Sequence, residues 1–219
     1  MDISVRLKSS EKYDTEGLPY RELVGGLLYL ATSTRPDIAN TVNKLSQFLN
    51  YYDNTHWKAT KRVLRYLKKT INFGLIFKRT EEPLFAYTDS DWANSLEDRK
   101  SYTGCCFILS GSTISWESRK QCTVALSSTE AEYVALSDGT KEAIYLRKLL
   151  NELHDADLKS VRLLSDNKGA IKLADNPILL QTHIDIRHHF VREALNNNDI
   201  DIKFVSTEDR AAHVLTKAL

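Results

Sequence analysis

Phe85-Ala-Tyr-Thr-Asp-Ser-Asp-Trp92 is the stretch of sequence that decides the fold. Its aromatic and β-branched residues, bounded upstream by Pro83, predict a β-strand. Because side chains alternate between the two faces of a strand, Asp89 and Asp91 should point to the same side, about 7 Å apart. Neighbouring carboxylates repel each other, and a divalent cation with oxygen ligands would compensate for that repulsion. The alternative is that the strand ends near Ser90 and that both acids are solvated in a loop.

The composition of the chain is that of an ordinary globular protein, with 42% hydrophobic and 27% charged residues. The net charge of +1 does not by itself indicate a polynucleotide partner. No apolar run reaches the roughly 18 residues that span a bilayer, and no signal-peptide pattern opens the sequence, so we expect no membrane partner. The cysteines are odd in number and lack metal-binding spacing, which predicts reduced thiols in an intracellular protein.

The N-terminal third of the sequence has helical patterns. An apolar run at Glu22–Thr32 predicts a helix, although Gly25 and Gly26 each oppose it by about 1 kcal/mol. Pro36 is the predicted first residue of a second helix, because proline suits the first turn and apolar residues follow at helical spacing. Each helix is expected to bury one stripe of side chains.

The third predicted helix, His56–Thr70, carries a row of positive charges on one face. Its cations are Lys58, Lys61, Arg62, Arg65, Lys68 and Lys69. No acid lies within the segment to pair with them along the helix. Such a face could bind the phosphates of a polynucleotide, and a solvated amphipathic helix is the alternative.

After a charged joint at Lys78–Pro83, the sequence alternates between strand and helix patterns. The predicted elements are, in order, strands at Phe85–Trp92, Tyr102–Leu109 and Ser112–Glu117, a long helix at Ser128–His154, a strand at Val161–Leu164, a short helix through Leu173, a helix at His183–Asn196, a strand at Asp201–Val205 and a helix at Glu208–Lys217. Ser110-Gly111 predicts a hairpin, so the first three strands should form an antiparallel meander. This order predicts an α/β fold, a mixed sheet flanked by helices.

Two more acids lie where predicted strands and helices meet. Glu132 could complete a capping box with Thr129, but Ser127 and Glu130 satisfy the same pattern and would leave Glu132 free for other work. Asp166 follows a predicted strand and precedes a helix. A helix cap is the commonest reason for such an aspartate, although functional groups also gather at the carboxyl ends of strands in α/β sheets.

Together, Asp89, Glu132 and Asp166 predict a phosphodiester hydrolase that uses two metal ions. In such an enzyme several carboxylates converge on two cations, one of which activates water while the other stabilises the leaving oxygen. Mg²⁺ suits this chemistry because it binds through few carboxylates and retains waters.

Six blocks of sequence resemble the ribonuclease H domain of copia-type retrotransposon polyproteins. The blocks are YTDSDWA (87–93), DRKSYTG (98–104), SSTEAEYVAL (127–136), SDNKGAI (165–171), HIDIRHHFVRE (183–193) and STEDRAAHVLTKAL (206–219). Upstream, YRELVGGLLYLATSTRPDIA and KRVLRYLKKT resemble the tail of the preceding reverse transcriptase. The resemblance implies a reverse-transcriptase tail at residues 1–80 and, at 81–219, a ribonuclease-H-like domain with a five-stranded mixed sheet.

The resemblance also implies an activity, which is metal-dependent cleavage of the RNA strand of RNA·DNA hybrids. Asp89, Glu132 and Asp166 would be the metal ligands, with Mg²⁺ as the cofactor. The expected partners are the hybrid and the polymerase domains of the same polyprotein. The expected location is the cytoplasm, in virus-like particles as in the family, or the nucleus.

Two departures from the family pattern bear on activity. His213 stands where the family usually has a fourth catalytic aspartate, and imidazole is a poorer ligand for Mg²⁺ than carboxylate. We therefore expect His213 to weaken metal binding and to favour Mn²⁺. The paired aspartates of the polymerase are absent, so the chain is not expected to polymerise alone. The alternative function is a nucleic-acid-binding fragment that does not cut.

The remaining candidates are supporting residues. Asp91 is expected to support the metal site without binding the metal. Arg99, Lys100, Arg119 and Lys120 are candidate phosphate contacts, with solvated loops as the alternative.

Overall fold

The structure is a computed structural model that describes residues 7–9, 17–95, 97–154, 158–175, 185–206 and 212–217, without the side chains of His154, Asp185 and His213. The chain divides into two compact units, Met1–Leu75 with Lys217–Leu219, and Ile76–Thr216. None of the described helices is long and apolar enough to cross a membrane.

The first unit is helical. It contains α1 (Tyr20–Ser33), a 3-10 turn (Pro36–Ile38), α2 (Ala39–Ser46) and α3 (Asn54–Lys69). The predicted second helix therefore begins as a 3-10 turn. Gly25 and Gly26 lie inside α1 with open space around them, so the helix forms despite their intrinsic cost. The buried stripe of α1, which includes Tyr20, Val24 and Leu27, packs into the core of this unit.

A capping box explains why α3 begins earlier than the apolar pattern predicts. The carboxylate of Asp53 accepts hydrogen bonds from the backbone N–H groups of Thr55 (2.8 Å) and His56 (3.2 Å). In return, Nδ1 of His56 accepts one from the backbone N–H of Asp53 (3.2 Å). These bonds satisfy N–H groups that the first turn of a helix would otherwise leave without partners.

The second unit is built on a five-stranded mixed sheet, as the sequence predicts. Its strands are β1 (Phe85–Asp91), β2 (Tyr102–Leu109), β3 (Ser112–Lys120), β4 (Val161–Ser165) and β5 (Ile200–Phe204). Their order in the sheet is β3-β2-β1-β4-β5. The first three strands form the predicted antiparallel meander, whereas β4 pairs with β1 and β5 pairs with β4 in parallel.

Within the described residues, four helices accompany this sheet. They are α4 (Ser128–His154), α5 (Lys168–Asp175), α6 (Asp185–Asn196) and α7 (His213–Thr216). The start of the predicted helix at His183 and most of the predicted stretch Glu208–Ala212 lie outside the described residues. A Cβ atom at Gly139 of α4 would lie 2.7 Å from Cγ2 of Thr88 in β1, so glycine permits a close approach between this helix and the central strand.

Candidate active site

Three carboxylates meet at one edge of the sheet. Asp89 lies in β1, Glu132 in α4 and Asp166 directly after β4, and one oxygen of each lies within 4.8 Å of the others. Asp89 and Glu132 are buried, and Asp166 is half-buried. Because β1 and β4 are parallel, their carboxyl ends lie at the same edge, which brings Asp89 and Asp166 together. The expected convergence is therefore confirmed.

The end of β1 decides between a strand and a loop position for Asp89 and Asp91. The strand continues to Asp91, so Asp89 lies within a hydrogen-bonded ladder opposite Gly104 of β2. The alternative in which the strand ends near Ser90 is wrong. A carboxylate in a central strand has a fixed direction, which a loop position would not provide.

The helix-capping alternative for Asp166 is wrong, because the next residue performs that role. Oδ1 of Asn167 accepts a hydrogen bond from the backbone N–H of Ala170 at 2.9 Å. A Cβ atom at Gly169 would lie 2.8 Å from Oγ1 of Thr129, so glycine lets the first turn of α5 approach the start of α4. Asp166 lies directly before this cap, and one of its carboxylate oxygens belongs to the cluster.

The start of α4 is capped without Glu132. Oγ of Ser127 accepts from the backbone N–H of Glu130 at 3.1 Å, and Oε2 of Glu130 accepts from the backbone N–H of Leu126 at 2.8 Å. Of the two capping patterns in the sequence, the earlier one is used. Glu132 instead turns its carboxylate towards Asp89 and Asp166.

Helix α7 supplies a hydrogen bond to Asp89. Oγ1 of Thr216 donates a hydrogen bond to Oδ2 of Asp89, and Oγ of Ser118 donates to the carbonyl oxygen of Leu215 at 2.5 Å. A Cβ atom at Gly104 would lie 2.7 Å from Cγ2 of Thr216. Only glycine at this position of β2 leaves room for α7, and the residue opposite it is Asp89.

The sequence patterns did not indicate Gly104 and Thr216 as residues of the site. A glycine inside a strand pattern often marks the close approach of another backbone, and this was the available signal for Gly104. The helix that contains Thr216 begins at His213, whose side chain lies outside the described part of the structure, so its predicted role stays a prediction.

Asp91 and Gln121 brace the strands around the cluster. Asp91 accepts hydrogen bonds from the backbone N–H of Tyr102 (2.5 Å) and from Nδ2 of Asn94 (2.8 Å), which fixes the turn after β1. The buried amide of Gln121 donates to Oγ1 of Thr103 (3.1 Å) and to the carbonyl oxygen of Ala131 (2.9 Å). Gln121, which sequence analysis did not single out, thereby joins β2 to the turn of α4 that carries Glu132.

The predicted basic residues differ in their surroundings. Lys58, Lys61, Arg62 and Arg65 are exposed on α3. In the turn after β1, Arg99 is exposed and Lys100 is half-buried. Arg119 forms ion pairs with Glu117 (2.9 Å) and Asp138 (3.0 Å), and Lys120 forms one with Asp98 (3.0 Å). Arg119 and Lys120 are therefore already engaged within the protein, which reduces their availability for phosphate.

The donor set at the cluster fits a hard divalent cation. Carboxylate oxygens are the ligands that Mg²⁺ prefers, and neither sulfur nor imidazole belongs to the group of three. Three carboxylates brought this close would repel one another strongly in a partly buried site. A bound cation would offset that repulsion.

Comparison with known proteins places the chain in a family. No protein-family model matches it. The retrovirus-related Pol polyprotein from transposon TNT 1-94 of Nicotiana tabacum is 40% identical over 211 residues, which is 95% of this chain and 16% of that protein. The chain belongs to the family of copia-type retrotransposon Pol polyproteins. It spans only 16% of that relative's length, so it corresponds to one segment of a Pol polyprotein.

A much shorter relative is also similar to this Pol segment. Secreted RxLR effector protein 161 of Plasmopara viticola is 51% identical over 132 residues, which is 60% of this chain and 93% of that protein.

Solved structures share the fold. The foamy viral protease-reverse transcriptase in complex with RNA/DNA hybrid aligns with a TM-score of 0.55 at 14% identity, over 86% of this chain and 24% of that one. LC11-RNase H1 in complex with RNA/DNA hybrid aligns over 59% of this chain and 89% of that one, with a TM-score of 0.45 and 14% identity. The five-stranded mixed sheet, with the order β3-β2-β1-β4-β5, has the architecture that the resemblance implied.

Proposed function

We propose that the chain is a ribonuclease-H-type endonuclease of a retrotransposon reverse transcriptase, which hydrolyses the RNA strand of RNA·DNA hybrids with Mg²⁺ as cofactor. The observation that carries the proposal is the convergence of Asp89, Glu132 and Asp166 within 4.8 Å. Membership of the Pol family supports it, as does the fold shared with a foamy viral reverse transcriptase that was solved with an RNA/DNA hybrid.

The three carboxylates would hold the metal, and they differ in how far they are exposed to solvent. Bound divalent ions would supply Lewis acidity at the scissile phosphate and would lower the pKa of a bound water. Asp89 is buried and is held by Thr216, so its carboxylate keeps one orientation. Asp166 is half-buried and forms the side of the cluster that a phosphate can approach from solvent.

Substrate recognition would depend on the shape and charge of the hybrid. Proteins recognise such helices mainly through backbone phosphates and 2′-hydroxyl groups, with little use of base sequence. The exposed cations of α3 and the Arg99–Lys100 turn would supply phosphate contacts. The polymerase domains of the same polyprotein are the proposed protein partners, and an intracellular location remains part of the proposal.

A second candidate is a segment that binds nucleic acid without cutting it. His213 favours this candidate, because the family pattern usually has an aspartate there. The secreted effector of Plasmopara viticola, of which the chain covers 93%, also supports it, because that similar protein does not carry the name of a Pol polyprotein.

One assay separates the two candidates. The purified chain is incubated with an RNA·DNA hybrid labelled on the RNA strand, first with Mg²⁺ and then with Mn²⁺, beside Asp89→Asn. Cleavage that is lost in the variant supports the nuclease. Hybrid binding without cleavage in both metals supports the second candidate and rejects the first. DNA duplex and RNA duplex serve as substrate controls, because the proposed enzyme should cut neither at a comparable rate.

The role of His213 has its own test within this assay. His213→Asp should raise cleavage in Mg²⁺ more than in Mn²⁺, because carboxylate is the better ligand for the harder ion. An unchanged ratio of the two rates would exclude a metal-related role for residue 213.

A further inference from the structure

Three large apolar side chains are exposed in the segments that follow β1 and precede α4, the elements that carry Asp89 and Glu132. Trp92 is 55% exposed, Val124 is 43% exposed and Leu126 is 76% exposed. Exposed apolar side chains that lie together frequently mark an interaction site, whereas scattered ones need no explanation. We call Trp92, Val124 and Leu126 the apolar ledge.

A hydrogen bond joins the two segments that form the ledge. Nε1 of Trp92 donates to the carbonyl oxygen of Ala125 at 3.2 Å. Ala125 is itself buried and lies between Val124 and Leu126, so it anchors the loop between β3 and α4. The indole ring is thus held in place with much of its surface in solvent, and a preorganised aromatic surface loses little entropy when it binds a ligand.

Both segments also carry the cluster. Trp92 follows Asp89 by three residues, so their Cα atoms can be at most about 11 Å apart. On the other segment, the backbone N–H of Leu126 donates a hydrogen bond to Glu130 in the first turn of α4, two residues before Glu132 of the carboxylate cluster. A ligand that touches the ledge is therefore within reach of the carboxylates.

The turn next to the ledge carries two cations that can contact a polyanion, beside two acids, Glu97 and Asp98, of which Asp98 pairs with Lys120. The turn that follows Trp92 returns to β2 through Arg99 and Lys100, and Arg99 is exposed in a left-handed conformation (φ 56°). Apolar surface combined with nearby cations is the combination that binds nucleic acid, since bases and sugars pack on aromatic rings while cations neutralise phosphates.

We propose that the apolar ledge is the surface on which the sugar and base edges of the hybrid pack, so that the scissile phosphate lies over Asp89, Glu132 and Asp166. This inference rests on the proposed nuclease function and assigns to Trp92 a substrate-positioning role. Trp92 contacts substrate in this arrangement and does not bind metal.

The direct test uses the fluorescence of Trp92. Trp57→Phe and Trp116→Phe leave Trp92 as the one tryptophan of the chain. An RNA·DNA hybrid is added to this protein in an Asp89→Asn background, which prevents cleavage. Packing of bases or sugars on the ring should quench its emission and protect it from acrylamide. An emission that does not change while a labelled hybrid demonstrably binds overturns the inference.

The kinetic test compares Trp92→Ala and Trp92→Phe with Leu126→Ser. Loss of the ring should raise KM about tenfold, which corresponds to about 1.4 kcal/mol of binding free energy, because the substrate loses its contact with the indole surface. Phenylalanine should recover most of the loss, and Leu126→Ser should have a smaller effect in the same direction. The matched control is Tyr145→Ala, an exposed aromatic residue (59%) on α4 about 20 Å along the helix from Glu132.

The outcomes separate this inference from the nuclease proposal. If the wild-type chain cuts no hybrid but Trp92 is still quenched, the nuclease proposal fails and the ledge remains a nucleic-acid surface. If the wild-type chain cuts and Trp92→Ala retains its KM, the ledge inference fails alone, and a protein partner would be the better explanation for the exposed side chains. Equal effects of Trp92→Ala and Tyr145→Ala would also reject it.

Discussion

The hydroxyl of Thr216 donates a hydrogen bond to the Asp89 carboxylate across 127 residues of sequence. It comes from α7, a short helix that packs against β2 where Gly104 leaves room. Groups that bond to a metal-binding carboxylate orient it, and their loss commonly weakens metal binding or activity 10- to 100-fold. Helix α7 is therefore part of the candidate site although it supplies none of the three carboxylates.

Thr216→Val should lower Mg²⁺-dependent cleavage at least about tenfold, because valine keeps the shape of threonine and removes the hydroxyl that orients Asp89. The measurement is the cleavage rate as a function of Mg²⁺ concentration, with the melting temperature recorded in parallel. Thr216→Ser keeps a hydroxyl and is the matched control. Equal activity in the valine and serine variants would remove Thr216 from the site.

Gly104→Ala should destabilise the second unit by about 1–3 kcal/mol, because the new methyl group would meet both Thr216 and Leu215 of α7. Chemical unfolding measures the loss, and cleavage should fall with it as α7 moves away from Asp89. The contrasting variant is Gly25→Ala, where open space surrounds a helical glycine. That change should stabilise the first unit by about 0.5–1 kcal/mol, and destabilisation there would contradict the packing described for α1.

Neutralising one member of the cluster should abolish cleavage and raise stability in the absence of metal. Asp166→Asn removes one of three repelling carboxylates, so we expect a gain of about 1 kcal/mol in the free energy of unfolding without Mg²⁺. The stabilisation that added Mg²⁺ gives to the wild type should shrink or disappear. Asn167→Ala is the control at the neighbouring position. It removes the cap of α5, so the free energy of unfolding should fall by about 1 kcal/mol while cleavage activity is kept.

The first unit should lose stability at acidic pH through Asp37. Burial would by itself raise the pKa of Asp37, but hydrogen bonds from Arg35 and Tyr66 and the Arg35 charge lower that pKa below its ordinary value. A lowered folded-state pKa gives stability that is present above the unfolded value of about 3.9 and is lost as pH falls through the folded value. The wild type should thus exceed Asp37→Asn in stability at neutral pH and lose that advantage in acid.

Urea unfolding at a series of pH values checks this prediction. Trp57 lies in α3 and reports on the first unit when Trp92 and Trp116 are replaced by Phe. Tyr66→Phe removes one of the two side chains that donate hydrogen bonds to Asp37, so its stability at neutral pH should lie between those of the wild type and Asp37→Asn. If the free energies of unfolding of the wild type and Asp37→Asn change in parallel with pH, the Arg35–Asp37 pair adds no pH-dependent stability.

Only Cys122 should react with iodoacetamide in the native protein at pH 8. Burial raises the pKa of the Cys105 thiol, and burial raises the pKa of Cys106 to about 12. Both are also inaccessible, whereas Cys122 is exposed. Mass spectrometry should find one adduct in the native chain and three after denaturation. Native labelling of Cys105 or Cys106 would indicate that β2 opens.

The carboxylate cluster could be predicted because its acids occur where strand and helix patterns meet. The position of Asp89 followed from an aromatic and β-branched run, and Asp166 followed from a strand that ends directly before a helix. The sequence alone left open which residue caps each helix. That choice depends on hydrogen bonds of Ser127 and Asn167 that several neighbouring side chains could equally have made.

The contacts that the sequence did not predict are those between segments far apart in the chain. From the neighbouring sequence alone, Gly104 is only a residue that weakens a strand. The structure explains why glycine is needed there, because α7 packs directly against this position. Arg119 is a second example. The sequence made it a candidate phosphate contact, but in the structure it forms an ion pair with Asp138 of α4. Such pairings depend on tertiary packing, which local propensity and periodicity do not encode.

The long separation between Thr216 and Asp89 has a consequence for biosynthesis. The central strand leaves the ribosome before the residue that orients its carboxylate, which is translated 127 positions later. A nascent polypeptide that carries Asp89, Glu132 and Asp166 would therefore hold the metal poorly until Thr216 has also emerged. Synthesis itself would therefore delay the proposed cleavage activity until translation has passed Thr216.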